Sequence, residues 1–530
     1  MIDRVIENWL SSINERQYQI PFCQVLETEG ERVVYISSHG PQELGKDIVT
    51  IASDGVPNAY QLKAGAIDMG KWREIKGEIE QLCEYPLDLP VELPPEEHRP
   101  FFVSNGRINE PVLNAIRVLN EGLRRRRIKK LTTIDGSALV DRFRAAHGTF
   151  LPHEPLDLRN FLQLYVRDGR EPLAKAELAQ FFERVLQLDQ ATRKPLEVQR
   201  AVASLVLLNS YLTHDAERRS NHWAVFESWV VTASYIYATA VKYSTDSKYY
   251  SASLSLCKEA ASRALEGLHA ECEANRTKLV AMDILDGLFY GPRLTILAGL
   301  LGAHDLVRQK QYKEKPDPFV ALYLKEYLRD SKFWGESAFP FYVVACMALA
   351  AEGRSREAEI LMFQLLALLS RPERFSPRGI PNPYYGPEDV VRLVEQLEPL
   401  NDERFLGMSY ALETAVQYMA RRLLRTTLMI RWYDISHVRF ATFVPAETWQ
   451  WFVWRANDGN LRWTEPGQPQ SWSQLLEQSE NPDSNGAPEI FRIDPTFTLY
   501  FIMVFPHRCQ PHFVQILENW LFGYTTAGQS

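Results

Sequence analysis

Two hydrophobic periodicities divide this 530-residue chain, and they scarcely overlap. Up to about residue 150, short runs rich in β-branched and aromatic residues alternate with helical patterns. The strand candidates are ERVVYISS (31–38), DIVTIA (47–52), NAYQLKA (58–64), RPFFVSN (99–105) and KKLTTID (129–135). Between them lie KWREIKGEIEQLCEY (71–85) and EPVLNAIRVLNEGLRRR (110–126), apolar at spacings of three and four. Strands interleaved with helices predict an α/β unit with a mixed sheet, and PLDLPVELPPEEHRP (86–100) reads as a Pro-rich connector.

From about 155 to 430 the strand signal almost vanishes. LAKAELAQFFERVLQL (173–188), LEVQRAVASLVLLNSYL (196–212), KYYSASLSLCKEAASRALEGL (248–268) and AEILMFQLLALLS (358–370) read as amphipathic helices. A helix, a tight turn at Gly353–Ser355 and a second helix form a hairpin that resembles a tetratricopeptide-type unit. No clean self-similarity of about 34 residues accompanies it, so a repeat-like helical array is the expectation. From about 431 the character changes again. Seven of the 12 tryptophans fall here (Trp432, Trp449, Trp451, Trp454, Trp463, Trp472 and Trp520), and VRFATFV, WQWFVWRA and FTLYFIMVF read as strands. The expected organisation is multidomain: an N-terminal α/β domain (1–150), a central all-α helical array (151–430) and a small C-terminal α+β domain (431–530) closed by a helix at 511–522. A single core rarely exceeds roughly 300 residues, so about three domains suit the length.

Charge and cysteine usage narrow the partners. Lys and Arg number 59 against 67 Asp and Glu, a net charge of −8 with a pI near 5.9, so the chain is no generally basic nucleic-acid coat. Any contact with nucleic acid requires a local basic patch. Six scattered cysteines without a C-x-x-C pair exclude a disulfide scaffold and fit a reducing cytoplasm. The first 20 residues lack the apolar region of a signal peptide. The longest nearly uninterrupted apolar stretch, Phe339–Ala351, has 13 residues, short of the roughly 20 that span a bilayer. A cytoplasmic protein with no membrane partner is expected. G-x-x-x-x-G-K-[ST] and G-x-S-x-G are both absent, which argues against a P-loop ATPase or a hydrolase elbow.

Chemistry concentrates in HGPQELGKDIVTIASDGVPNAYQLKAG (39–65). Asp47 opens an apolar strand, SDGVPN forms a turn, and Tyr60–Ala64 forms a second strand. Strand side chains alternate faces, so Gln61 and Lys63 point one way while Tyr60, Leu62 and Ala64 point the other. The hairpin returns Gln61 and Lys63 to Asp47, placing a carboxylate, an amide oxygen and an ammonium together beside an apolar core. Charge in such a place is paired or used. Mg²⁺ takes hard oxygen ligands and keeps several waters, so Asp47, the Gln61 amide and the Leu62 main-chain carbonyl form a candidate ligand set. Lys63 is then placed to hold or help deprotonate a water, or to offset charge on a phosphorane. The competing reading is a hairpin with a plain Asp–Lys salt bridge.

The pattern Glu43-x-x-x-Asp47 followed by Gln61-x-Lys63 resembles the Mrr-type branch of the restriction-endonuclease-like superfamily, the PD-(D/E)xK nucleases, in which Gln replaces the usual acid of the last motif. The likeness covers about residues 18–146. It implies a restriction-endonuclease-like fold for the N-terminal domain, with Asp47 as main metal ligand, Gln61 as a second, Lys63 as catalytic lysine, Mg²⁺ or Mn²⁺ as cofactor and Glu43 at an acidic position seen in related sequences. Family members often add a Glu from the first helix, for which Glu15, Glu27 and Glu29 are equally eligible. Phe101–Gly106 and Leu131–Phe143 match the later core strand and the closing strand and helix.

Weaker signals have ordinary explanations beside the functional ones. Arg124, Arg125, Arg126, Arg127, Lys129 and Lys130 would neutralise DNA phosphates or simply end a helix in solvent. Trp72, Arg73 and Lys76 could face DNA, though core packing accounts for Trp72. His507-x-Cys509-x-x-His512 lacks a fourth zinc ligand, and tryptophans in a small domain are more often core than base-stacking. The expectation is a metal-dependent endonuclease cutting double-stranded DNA, as a homo-oligomer able to reach both strands. The resemblance implies prokaryotic restriction or anti-phage defence, with a partner protein supplying sensing or ATP hydrolysis. The alternatives are a helical protein-binding scaffold with an inactive nuclease fold, and a nuclease acting on RNA.

Overall fold

Every strand-type run of the first zone becomes a strand, and the five form one sheet. In the computed structural model these are β1 (Arg32–Ile36), β2 (Ile48–Ile51), β3 (Pro57–Lys63), β4 (Arg99–Ser104) and β5 (Thr132–Ile134), ordered β1-β2-β3-β4-β5. The structure describes residues 2–37, 46–87, 97–147, 155–276, 287–370, 380–396, 407–422, 425–455, 459–464 and 470–523. The pairs β1–β2 and β2–β3 are antiparallel, with Ile48 opposite Tyr60 and Ile51 opposite Pro57. The hairpin turn is tied by Ala52 N–H to Val56 O at 3.0 Å and Gly55 N–H to Ala52 O at 2.9 Å. Gly55 sits at φ +83°, a conformation that carries no Cβ penalty for glycine.

The pairs β3–β4 and β4–β5 are parallel and therefore need crossover connections. The helices that accompany the sheet are α1 (Ile2–Ser12), α2 (Glu15–Thr28), α3 (Met69–Glu84), α4 (Glu110–Arg125) and α5 (Gly136–His147), and α3 and α4 make the two crossovers. Helix α3 buries Trp72, Ile75, Ile79 and Leu82 in one core with Val49, Ala59 and Phe102. Each such side chain contributes roughly 1.5–3 kcal/mol on burial. On the opposite face, α2 sets Phe22 edge-on to Tyr60 at 5.5 Å between ring centroids.

Beyond α5 follow α6 (Pro155–Tyr165), α7 (Lys175–Val185), α8 (Pro195–Arg218), α9 (His222–Lys242) and α10 (Ser251–Ala274). The chain divides into two compact units, one of Met1–Ala224 with Thr239–Glu259 and one of Val225–Ala238 with Ala260–Ser530. The compositional boundaries near 150 and 430 each fall inside a unit. Within the first, α8 packs on α2, Trp9 meets Tyr211 at 4.5 Å between centroids, and Ser253 donates to Gln24 at 2.6 Å. Helices read from sequence as part of a separate array thus complete the unit that holds the first sheet.

The second unit contains α11 (Gly287–Gln311), α12 (Pro318–Tyr327), α13 (Phe339–Ala351) and α14 (Ser355–Leu369). A Cβ on Gly299 would lie 2.6 Å from the Phe341 ring, so glycine lets α11 and α13 approach closely. Helix α13 is buried nearly all round, and the turn to α14 passes through Gly353 at φ +79°. A second mixed sheet joins β6 (Met408–Ser409), β7 (Arg439–Pro445) and β8 (Gly459–Trp463). The protein is mostly helical, with these two small mixed sheets.

Two C-terminal expectations fail. FTLYFIMVF, read as a strand, is the helix Pro495–Val504, and WQWFVWRA yields a short 3₁₀ helix, Thr448–Phe452, in place of a strand. In the first, every residue from Phe497 to Val504 is buried, so no face is left polar to betray the helical period. Asp494 accepts from Phe497 N at 3.0 Å and starts the helix, with Pro495 at its first position. The expected closing helix is present as Pro511–Phe522. All six cysteines are buried and none is in a disulfide, and no helix among the described residues is long and apolar enough to cross a membrane.

Candidate active site

The end of β3 is fixed from several directions. Asp47, one residue before β2, stands across the hairpin from Gln61, and its N–H donates to Tyr60 O at 2.8 Å. Its Oδ2 accepts from the Leu62 N–H at 2.6 Å. Leu62 therefore turns its main-chain polar edge toward Asp47, and in a strand the carbonyl of a residue shares the edge of its N–H. Beyond Lys63, Tyr18 donates to the Lys63 carbonyl at 3.0 Å, and Gly65 N–H donates to Asn105 Oδ1 at 2.6 Å. Asn105 Nδ2 reaches Leu10 O and Ile13 O at 2.6 and 2.9 Å, which anchors the end of β4 to α1.

Alternation places Gln61 and Lys63 on the face covered by α3. There Glu78 Oε2 accepts from Lys63 Nζ at 2.8 Å and from Gln61 Nε2 at 3.4 Å. Gln61 is 4% exposed, and its Oε1 is buried without a hydrogen-bond partner. An orphaned buried acceptor is costly unless a water or a ligand pairs with it. Glu15 Oε2 lies 4.0 Å from Lys63 Nζ, while its Oε1 accepts from Ala64 N at 3.2 Å. Burial pulls the Lys63 ammonium toward neutrality, but the Glu78 hydrogen bond and the charges of Glu15, Glu78 and Asp47 outweigh it and hold the group above the usual lysine range. Tyr18 is kept neutral by burial and by the charges of Glu15 and Asp47.

The structure thus brings Asp47, Gln61, Leu62 and Lys63 together. It also separates the three first-helix acids. Glu15 begins α2 beside Lys63, whereas Glu27 Oε1 accepts from Val33 N at 3.0 Å and Glu29 pairs with Arg142 at 3.6 Å at the helix's other end. A capping box of Asn14 and Gln17 places Glu15 in that first turn. Glu43 lies outside the described residues. Glu78 was not anticipated. Its sequence signal is weak: it falls three residues after Ile75 and four before Leu82, on the flank of the buried stripe of α3.

The basic run is not brought to the site. Arg124 and Arg125 end α4, and Arg126, Arg127, Lys129 and Lys130 lead into β5, all exposed. Register sets Phe101 beside Thr132 and Lys63 beside Ser104, so the run lies at the opposite end of the parallel strands from Lys63. Arg126 pairs with Glu84 at 2.8 Å. Trp72 is core, while Arg73 and Lys76 are exposed and Lys76 pairs with Glu80 at 3.5 Å. His507, Cys509 and His512 are buried, and burial pushes His512 down to about 3.

Among the described residues, no group of three or more His, Cys, Asp or Glu side chains is arranged to hold a metal ion. The Asp47 site has another composition: one carboxylate, one amide oxygen and one main-chain carbonyl. Those are hard oxygen donors, and the unpartnered Gln61 Oε1 fits a cation of the Mg²⁺ type. Asp47, Glu15 and Glu78 also place three carboxylates around one ammonium, a net negative balance that a cation would offset. Comparison of the chain with protein-family models, curated proteins and solved structures finds no match.

Proposed function

We propose that the first unit is a restriction-endonuclease-like, Mg²⁺- or Mn²⁺-dependent endonuclease of the Mrr type that cuts double-stranded DNA. The observation that carries this reading is the buried, unpartnered Gln61 Oε1 across the hairpin from Asp47 and two residues from Lys63. A mixed sheet with an antiparallel hairpin followed by two parallel strands supports the fold assignment. Asp47, Gln61 Oε1 and the Leu62 carbonyl would hold the cation, which supplies Lewis-acid polarisation of a phosphoryl oxygen. Lys63, firmly protonated, donates toward the negative charge that grows on the phosphorane oxygens, and its charge state favours this role over that of a general base. Glu15 steadies the strand end through Ala64 N. Duplex DNA as substrate, a role in restriction or anti-phage defence, and a sensing or ATP-hydrolysing partner rest on the Asp47…Gln61-x-Lys63 likeness. Two strands require two such sites, hence a homo-oligomer. The α13–α14 hairpin supports a repeat-like helical part that restrains or aims the cut.

The test is cleavage by the purified full chain. Supercoiled plasmid should be nicked and linearised only with Mg²⁺ or Mn²⁺, and Asp47→Ala or Lys63→Ala should abolish the reaction. Undiminished cutting by the double variant refutes the proposal. Faster hydrolysis of RNA than of duplex DNA would replace the substrate, and metal-independent inertness of the wild type would leave the helical scaffold reading.

A further inference from the structure

One oxygen of Glu78 touches both polar side chains that β3 presents to α3. Oε2 lies 2.8 Å from Lys63 Nζ and 3.4 Å from Gln61 Nε2. A carboxylate only accepts hydrogen bonds, so it selects the NH₂ end of the Gln61 amide and turns Oε1 away from itself. That turned-away Oε1 is the atom left without a partner. Glu78 therefore settles which end of the amide is left without a partner. The Glu78 side chain is 49% exposed while that of Lys63 is 13% exposed. The acid thus reaches in from the rim of α3 to an ammonium that is mostly out of water. α3 carries it on a rigid mount, since Ile75, Ile79 and Leu82 of the same helix are locked in the sheet core.

We propose that Glu78 is the positioning residue of this site, orienting the Gln61 amide oxygen for the cation and holding the Lys63 ammonium in place. This rests on the endonuclease reading for its consequence in catalysis, while its consequences for the amide and the ammonium hold without it. Glu15 is not an equivalent second holder: its nearest oxygen is 4.0 Å from Lys63 Nζ, and its other oxygen is bonded to Ala64 N.

Glu78→Gln keeps the side-chain volume and Glu78→Ala removes it, and both changes are on an exposed helix surface that leaves the core intact. Three readouts apply to the full chain. In the first, lysines carrying [¹³C]methyl groups are observed by NMR at one fixed pH, with the Lys63 signal assigned through Lys63→Arg. Its chemical shift should change and its motion increase in both variants. In the second, Mg²⁺ alone is titrated calorimetrically, and affinity should fall at least about tenfold in Glu78→Ala, the scale expected when a group that orients a metal ligand is lost. In the third, kcat of plasmid cleavage should fall more than KM changes, and Glu78→Asp should recover part of the loss. An unchanged Lys63 signal with Mg²⁺ affinity within about twofold of wild type overturns the assignment. Should wild type fail to cut DNA, the endonuclease reading fails, and the NMR spectra and the Mg²⁺ titration still decide the role of Glu78.

Discussion

Replacing Gln61 by Leu separates what this side chain does for the site from what it does for the fold. The wild-type amide is almost wholly buried, and its Oε1 has no hydrogen-bond partner. Removing such an acceptor recovers about 1–3 kcal/mol of desolvation cost. Against that stands the loss of the Nε2–Glu78 bond, made to a charged acceptor but long at 3.4 Å, and so at the lower end of roughly 1.5–3 kcal/mol. Glu78 keeps Lys63 as a partner in the variant. In EDTA, Gln61→Leu should therefore match the wild type or exceed it by up to about 1.5 kcal/mol. With Mg²⁺ the order reverses. A cation bound only by the folded wild type at a hundred times its Kd adds about 2.7 kcal/mol, and the variant, short of one ligand, gains little. Amide hydrogen exchange along β3 is the suitable assay, because the Leu62 N–H is itself bonded to Asp47. Tenfold faster exchange in the variant in EDTA, about 1.4 kcal/mol in the wrong direction, would sink the reasoning. So would a wild type that Mg²⁺ does not protect.

Two further outcomes are expected. Glu336 is fully buried, and burial, only partly offset by bonds from Ser409, Ala411 and Tyr410, raises its carboxyl from an ordinary 4.5 to about 7; the folded state binds the extra proton, so stability should fall as pH rises from about 4.5 to about 7, and Glu336→Gln should flatten that slope in urea titrations. A Cβ on Gly106 would lie 2.2 to 2.5 Å from backbone atoms of Gly65 and Ala66; Gly106→Ala should cost about 1–3 kcal/mol by urea denaturation and lower cleavage, since Gly65 follows Lys63 by two residues.

The hairpin and its polar trio were legible because a period of two is short and unambiguous. Asp47, Gln61 and Lys63 needed only the turn at Ser53–Asn58 to meet. Glu15 was legible as one of three acids, and the helix start would have chosen it: Glu15 and Glu27 lie 12 residues apart on one helix, roughly 18 Å, so both cannot reach Lys63. Glu78 was not legible, because an acid in KGEIEQ reads as a solvated helix face, and only the packing of α3 on β3 brings it to Lys63. Burial on every side hid the helix at Pro495–Val504. The dependence of the first sheet on α8 lay beyond composition, since contacts such as Trp9–Tyr211 join residues that no local pattern couples.

The alternation of the two units along the chain has a consequence for inheritance. Residues 225–238 belong to the second unit and 239–259 return to the first, so the backbone changes unit three times between residues 224 and 260. No single break in the gene separates them. A fragment of residues 1–150, the length of the sheet and its own crossovers, leaves Trp9 without Tyr211 and Gln24 without Ser253. The Asp47 hairpin is thus no cassette that recombination could hand on within residues 1–150, because the unit that holds it also draws on residues as distant as Tyr211 and Ser253.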